Sequence, residues 1–313
     1  MREDTQNRRS PWAIAWAVLR GIGIAISSLV GLLVTLGAVA AAQGFLARER
    51  FANLKPELTI PHSGTFAADR EGTPIELGIM GDSLAAGYGA DDPASTPGVL
   101  LAEGLVEAGE RPVTLTNVAE VGAESTALEA QLARLLSLST PDVVVILIGA
   151  NDVMHLKRLT DALWPLAATV RHLHSGGTEV VVATCPDLGT VRPFMPLLRF
   201  LAHWYSRVLA TGQAIVTLRA SGRTVSLADT LGAIFRRDPA TMFSLHDHLH
   251  PSSRGYAEAA RVILPSVRVA AGVPLPEDAN VPHRVYQKGS RRPLAWLAFR
   301  ASRRVGDRLV PVS

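Results

Sequence analysis

Hydrophobic positions follow several different rhythms along this chain, and each predicts a different element. From Gly21 to Phe45 no residue is charged, and all but Gln43 are apolar or small. A helix needs about 20 such residues to cross the hydrocarbon core of a bilayer, so the stretch predicts a transmembrane segment. It is either a retained anchor or a signal sequence cleaved after an Ala-x-Ala site such as Ala40-Ala41-Ala42. The apolar core of a signal runs roughly 7–15 residues, and the longer run here favours the anchor. Residues 46–70 turn polar and contain Pro56, Pro61 and Gly64, which reads as a linker.

The rhythm then changes to short apolar runs alternating with amphipathic stretches. The runs are Ile75–Met80, Val113–Asn117, Val143–Ile148, Val180–Thr184 and Thr224–Leu227. Between them, helical patterns lie near Val99–Ala108, Ser125–Leu136, Leu159–Leu173 and Leu197–Ala220, and a last one runs from about Ser253 to Val269. Continuous apolar strands separated by amphipathic helices predict a parallel sheet of five strands, covered on both faces. Residues 71–272 suit one such doubly wound α/β domain. Residues 273–313 form a basic tail. Within it, Leu294, Leu297, Ala301, Val305 and Leu309 are spaced against Arg300, Arg303, Arg304 and Arg308, with Trp296 and Phe299 beside them. That spacing marks a basic amphipathic helix candidate and a second membrane contact.

Charge sharpens this division. The net charge of +3 conceals +2 in residues 1–20 and +7 in residues 282–313, which leaves −6 for residues 21–281. The body of the protein repels phosphate, so nucleic acid is not an expected partner. Four arginines precede the apolar segment, against Arg48, Arg50 and Lys55 after it. The positive-inside bias places the N-terminus inside and the folded domain outside the cytoplasm, or secreted if the segment is cleaved. Cys185 is the only cysteine, which excludes an intramolecular disulfide and a cysteine-based zinc site. Only Lys55, Lys157 and Lys288 of the 31 basic residues are lysine. Together with the alanine content, this is associated with GC-rich bacterial genes.

Four short segments carry candidate chemistry. Gly81-Asp82-Ser83-Leu84 follows the first strand, at the strand end where open α/β sheets place their sites. A helix beginning there adds free N–H groups and a positive dipole end. Helix capping alone also explains Asp and Ser in this turn. The Gly-x-Ser-x-Gly elbow of α/β-hydrolases is absent, since Ala85 occupies its second glycine position. Gly122 follows the second strand, where a loop glycine at positive φ is the alternative. Gly149-Ala150-Asn151-Asp152 ends the most apolar strand; it is either a plain turn or an amide aimed over the sheet edge. Asp247 and His250 lie three residues apart in His246-Asp247-His248-Leu249-His250-Pro251. One turn then presents a histidine with the carboxylate that fixes its tautomer, as a serine nucleophile requires. The alternating His246, His248 and His250 raise a metal site as the alternative, disfavoured because no cysteine or glutamate stands nearby.

In order and spacing, these four segments resemble the sequence blocks of the SGNH hydrolase superfamily, the GDSL-like esterases, over residues 75–270. The resemblance implies a flavodoxin-like three-layer α/β/α fold and an esterase or acylhydrolase without metal or cofactor. Carried over by position, it implies Ser83 as nucleophile, His250 as general base and Asp247 as the residue that orients His250. It implies an oxyanion hole from the Ser83 and Gly122 backbone N–H groups and the Asn151 side-chain amide. The expected substrate is a small-molecule, lipid or glycan ester. Two other readings accompany it: a cell-envelope carbohydrate O-deacetylase or O-acyltransferase, and a membrane-tethered binding protein without chemistry.

Overall fold

A computed structural model describes residues 11–52 and 62–275, and the chain divides near residue 50 into two units. The first contains helix α1 (Pro11–Ala52). It is longer than the uncharged stretch because Pro11 is pre-organised for a first helical turn and nothing before Ala52 breaks the helix. Its Leu19–Leu46 portion is long and apolar enough to cross a membrane. Trp12 and Trp16 are exposed in its first turns.

The second unit is built on a six-stranded mixed sheet. Its strands are β1 (Gly64–Phe66), β2 (Ile75–Gly81), β3 (Val113–Asn117), β4 (Val143–Leu147), β5 (Glu179–Ala183) and β6 (Arg223–Val225), in the order β1-β3-β2-β4-β5-β6. The five parallel strands are those expected from the apolar runs. The expected count of five is corrected to six by β1, which pairs antiparallel with β3, Gly64 opposite Leu115. β1 lies within 46–70, so that stretch is not wholly a linker. Three residues are too few to show alternation, and the strand is held by main-chain pairing to the open edge of β3.

Helices cover both faces, as the doubly wound pattern requires. On one face lie α3 (Pro97–Gly109) and α11 (Ser253–Ala270). They approach closely where Gly104 faces the Leu264 side chain. On the other face lie α4 (Leu128–Leu138), α6 (Leu159–Ser175) and α7 (Pro196–Arg219). Alternate strand residues Val144, Ile146 and Ile148, with Val180 and Val182, pack there against Leu128, Leu135, Leu166, Val170 and Leu173. Burying each such side chain contributes about 1.5–3 kcal/mol. Short helices α2 (Ser83–Ala86), α5 (Ala150–Met154), α8 (Leu227–Thr230), α9 (Gly232–Arg237) and α10 (Pro239–Met242) occupy the loops. The Pro293–Val310 helix candidate and residues 1–10 lie outside the described residues.

Candidate active site

The site begins where β2 ends against β4. Gly81 has φ +138°, and a Cβ there would meet the Leu147 carbonyl oxygen at 1.8 Å, so only glycine fits. Gln131 of α4 grips the same residue from both sides: Gly81 N–H donates to its Oε1 and its Nε2 donates to the Gly81 carbonyl, each at 2.8 Å. Asp82 caps α2, its Oδ1 accepting from Leu84 N–H at 2.9 Å and its Oδ2 from Gly149 N–H at 3.2 Å. Burial pushes the Asp82 carboxyl up to about 6, against these backbone donors and the attraction of His250. Ser83 is therefore set on a turn fixed from three directions. It is the first residue of α2, where a helix N–H has no intrahelical acceptor.

His250 reaches Ser83 from the loop before α11. Ser83 Oγ–H donates to His250 Nε2 at 2.8 Å, and His250 Nδ1–H donates to Asp247 Oδ2 at 2.5 Å. The proton is assigned to Nδ1 because a carboxylate only accepts. Asp247 Oδ1 accepts from Leu249 N–H and His250 N–H at 2.9 and 3.0 Å. Burial raises the Asp247 carboxyl, but the hydrogen bond and charge attraction of His250, with the two backbone donors, outweigh it and hold the group below its ordinary range. The Tyr88 ring meets the His250 ring edge-on with centroids 4.6 Å apart, and Tyr256 Oη–H donates to the Tyr88 carbonyl at 2.7 Å. His246 and His248 are exposed and make no such contact with Ser83.

Two further loops face Ser83. The turn Glu120–Ala123 is closed by Ala123 N–H donating to the Glu120 carbonyl, with Gly122 at φ +85° in its third position. That conformation suits glycine, and the turn's own bond leaves the Gly122 N–H aside. Asn151, at the start of α5, donates from Nδ2 to the Ala123 carbonyl at 2.9 Å. The neighbouring Asp152 is buried and accepts from Ser125 N–H and from Ser125 Oγ–H, the latter at 2.8 Å. Burial raises its carboxyl in spite of these bonds. Outside them, Glu124 accepts from Lys157 at 2.8 Å and lies 2.7 Å from His155 Nδ1. The bond from Lys157 is the main cause that holds its carboxyl below the ordinary range. Ser83, Gly122, Asn151, Asp247 and His250 all line one cavity, whose remaining wall is mostly apolar: Leu188, Val191, Leu231, Phe235 and Phe243.

The model of the GDSL-like lipase/acylhydrolase family matches residues 79–258, which hold all of these groups. The chain belongs to that family. It is accordingly a hydrolase of acyl esters. A GDSL-like esterase of Mycobacterium tuberculosis is 38% identical over 224 residues, 71% of this chain and 69% of that protein. Two solved structures are similar to the fold. One is a lipase/acylhydrolase from Enterococcus faecalis, 21% identical, covering 66% of this chain and 100% of its own, with TM-score 0.49. The other is TesA, 20% identical, covering 62% and 99%, with TM-score 0.49.

Several site residues carry weaker sequence signals. Asp82 and Asp152 sit inside the quoted segments but read there as turn residues. Gln131 had a usable signal: it shares the helix face of Leu128 and Leu135, and a polar residue among core positions is buried for a reason.

Proposed function

We propose that this hydrolase cleaves carboxylic esters through an acyl-enzyme on Ser83. The observation that carries the reading is the unbroken chain from Ser83 Oγ to His250 Nε2 and from His250 Nδ1 to Asp247 Oδ2. As Ser83 Oγ attacks the ester carbonyl, its proton passes to His250 Nε2. Asp247 keeps the imidazole in the receptive tautomer and stabilises the imidazolium. Negative charge develops on the carbonyl oxygen. The Ser83 and Gly122 N–H groups and the Asn151 amide are the donors for it. An amide carries two N–H donors; one Asn151 donor braces Ala123, and the other serves the oxyanion. The imidazolium then protonates the departing alcohol. Water enters, gives its proton to His250 and attacks the acyl carbonyl; the acid leaves as His250 returns the proton to Ser83 Oγ.

The apolar wall of the cavity supports an acyl group of apolar character. The apolar helix Leu19–Leu46 supports a membrane-held enzyme, with the hydrolase domain outside the cytoplasm on the arginine excess before the segment. A fluorophosphonate probe tests the central claim: it should label the protein at Ser83 and leave the Ser83→Ala variant unlabelled. Labelling that survives this substitution removes Ser83 as nucleophile.

A further inference from the structure

Helix α7 is amphipathic in an unusual sense. Its inner face, Ala202, Ser206, Leu209, Ala210 and Gln213, is buried. Its outer face carries Phe200, Leu201, Trp204 and Val208, and Phe200 and Trp204 are 59% and 52% exposed. These positions fall three, four and eight residues apart and so form one stripe. A helix on a water-facing surface normally shows polar residues there, and a contiguous apolar stripe marks an interaction surface.

Two observations identify what covers it. The first is charge. Residues 188–228 contain no Asp or Glu and five arginines (Arg192, Arg199, Arg207, Arg219 and Arg223), within a body of net −6. Arg207 and Arg223 are engaged by Asp229 and Glu179 just outside that run. The charge left to Arg192, Arg199 and Arg219 beside an apolar stripe matches an anionic lipid surface, into which aromatic side chains insert while arginine stems snorkel to the headgroups. The second is position. The first half of α7 packs on the turn Leu188–Thr190, and His203 of α7 holds Asp187 at 2.7 Å. Asp187, Leu188 and Thr190 line the cavity that contains Ser83. The helix that carries the stripe therefore backs the Asp187–Thr190 wall of the substrate cavity, and the same chain carries a helix able to cross a bilayer.

We propose that the outer face of α7 docks on anionic bilayer lipid, with Phe200, Leu201 and Trp204 at the interface, and that the cavity takes its acyl esters from that bilayer. The delivery of substrate rests on the ester-hydrolase reading; the docking does not. Cys185 is buried and its thiol is pushed well above its ordinary value by burial, so a cysteine introduced at the surface takes a spin label selectively. The full chain with Leu201→Cys is placed one copy per nanodisc, in phosphatidylcholine alone or mixed with phosphatidylglycerol. A second sample carries the label at Glu103→Cys, an exposed position on α3 across the sheet. With phosphatidylglycerol, the label at 201 should become several-fold more accessible to oxygen than to a water-soluble nickel chelate, while that at 103 stays in water. Paired Phe200→Ser and Leu201→Ser should raise KM for a vesicle-borne ester about tenfold, since each lost side chain forfeits transfer energy. A soluble short-chain ester should be turned over as before.

Equal water access at 201 and 103 overturns the proposal. So does a change at 201 that requires two copies per disc, because a second chain then covers the stripe. A lipid-inserted label with unchanged KM for the vesicle-borne ester overturns substrate delivery. A protein inactive on every ester refutes the ester reading and leaves the label's answer intact.

Discussion

Two buried carboxylates lie on either side of Ser83, and burial treats them in opposite ways. Asp82, in the turn after β2, meets only backbone N–H donors at close range, and its carboxyl is pushed up to about 6. Asp247, in the loop before α11, meets His250 at 2.5 Å and is held below the ordinary range. Both have lost water. The difference is a partner able to carry positive charge, which favours the ionised form more than fixed amide dipoles do. Asp82 therefore acts on geometry: it joins the Ser83 turn to Gly149, beside Asn151. Asp247, on the mechanism we propose, acts on charge: it favours an imidazolium that exists only while Ser83 is reacting. The two regions should respond to substitution in different observables.

The largest effect is expected where the two regions meet. Ser83→Ala removes the group that joins them and should lower kcat by on the order of 10⁴–10⁶, with melting temperature almost unchanged. Near-normal turnover would remove the nucleophile from the proposal. Asp247→Asn keeps the shape of the loop but lets an amide donor face His250. A loss of about 10³–10⁴ in kcat is expected, by analogy with the same change in other Ser-His-Asp enzymes. A loss below tenfold would make Asp247 a loop cap alone. Asn151→Ala, on the Asp82 side, should cost about 10²–10³ in kcat with little change in KM, since its donor is wanted as charge develops. An effect confined to KM would show Asn151 holding bound substrate instead.

The same contrast explains what could be read in the sequence. Asp247 and His250 were legible because their partnership is local, three residues within one turn. The approach of His250 to Ser83 spans 167 residues. It was legible only through the order of segments and the strand-end position that the sheet gives each. β2, β4 and β5 were legible as continuous apolar runs, since they are buried on both faces, while β3 alternates Val113, Leu115 and Asn117 inward with the half-buried Thr114 and Thr116. β1 was not, because an edge strand of three residues is made by its neighbour's open main chain. The Asp82–Gly149, Asp152–Ser125 and Gln131–Gly81 bonds were not legible as pairs either. Asp82 and Asp152 are ordinary in their own segments, Gln131 shows only that it is a polar residue on a core face, and each acquires its role from a backbone group that packing brings to it. The outer face of α7 was seen as a helix from 197 to 220, but which side of it lay on the sheet is fixed by Gly212 meeting Leu163 of α6 and by Gln213 holding Cys185 N–H.

The smallest effect on activity, and the sharpest test of the comparison, is expected from Asp82→Asn. Between its ordinary value of 3.8 and about 6, the folded Asp82 holds a proton that the unfolded one has lost. The folded state binds more protons in that window, so this group's contribution to stability falls as pH rises through it. The full change is on the order of 1–3 kcal/mol by pH 7. Asparagine has no charge to desolvate and lacks this dependence. It also has one acceptor where Asp82 uses two, which leaves either Leu84 N–H or Gly149 N–H without its partner at a cost of about 1–2 kcal/mol. The variant should therefore be the less stable protein near pH 4 and should equal or overtake the native chain by pH 7, while kcat falls less than tenfold. Urea unfolding of both proteins across pH 4–8 measures the difference directly. A gap that stays constant across that range would show that Asp82 is as comfortable charged as Asp247, and the contrast between the two carboxylates would be lost.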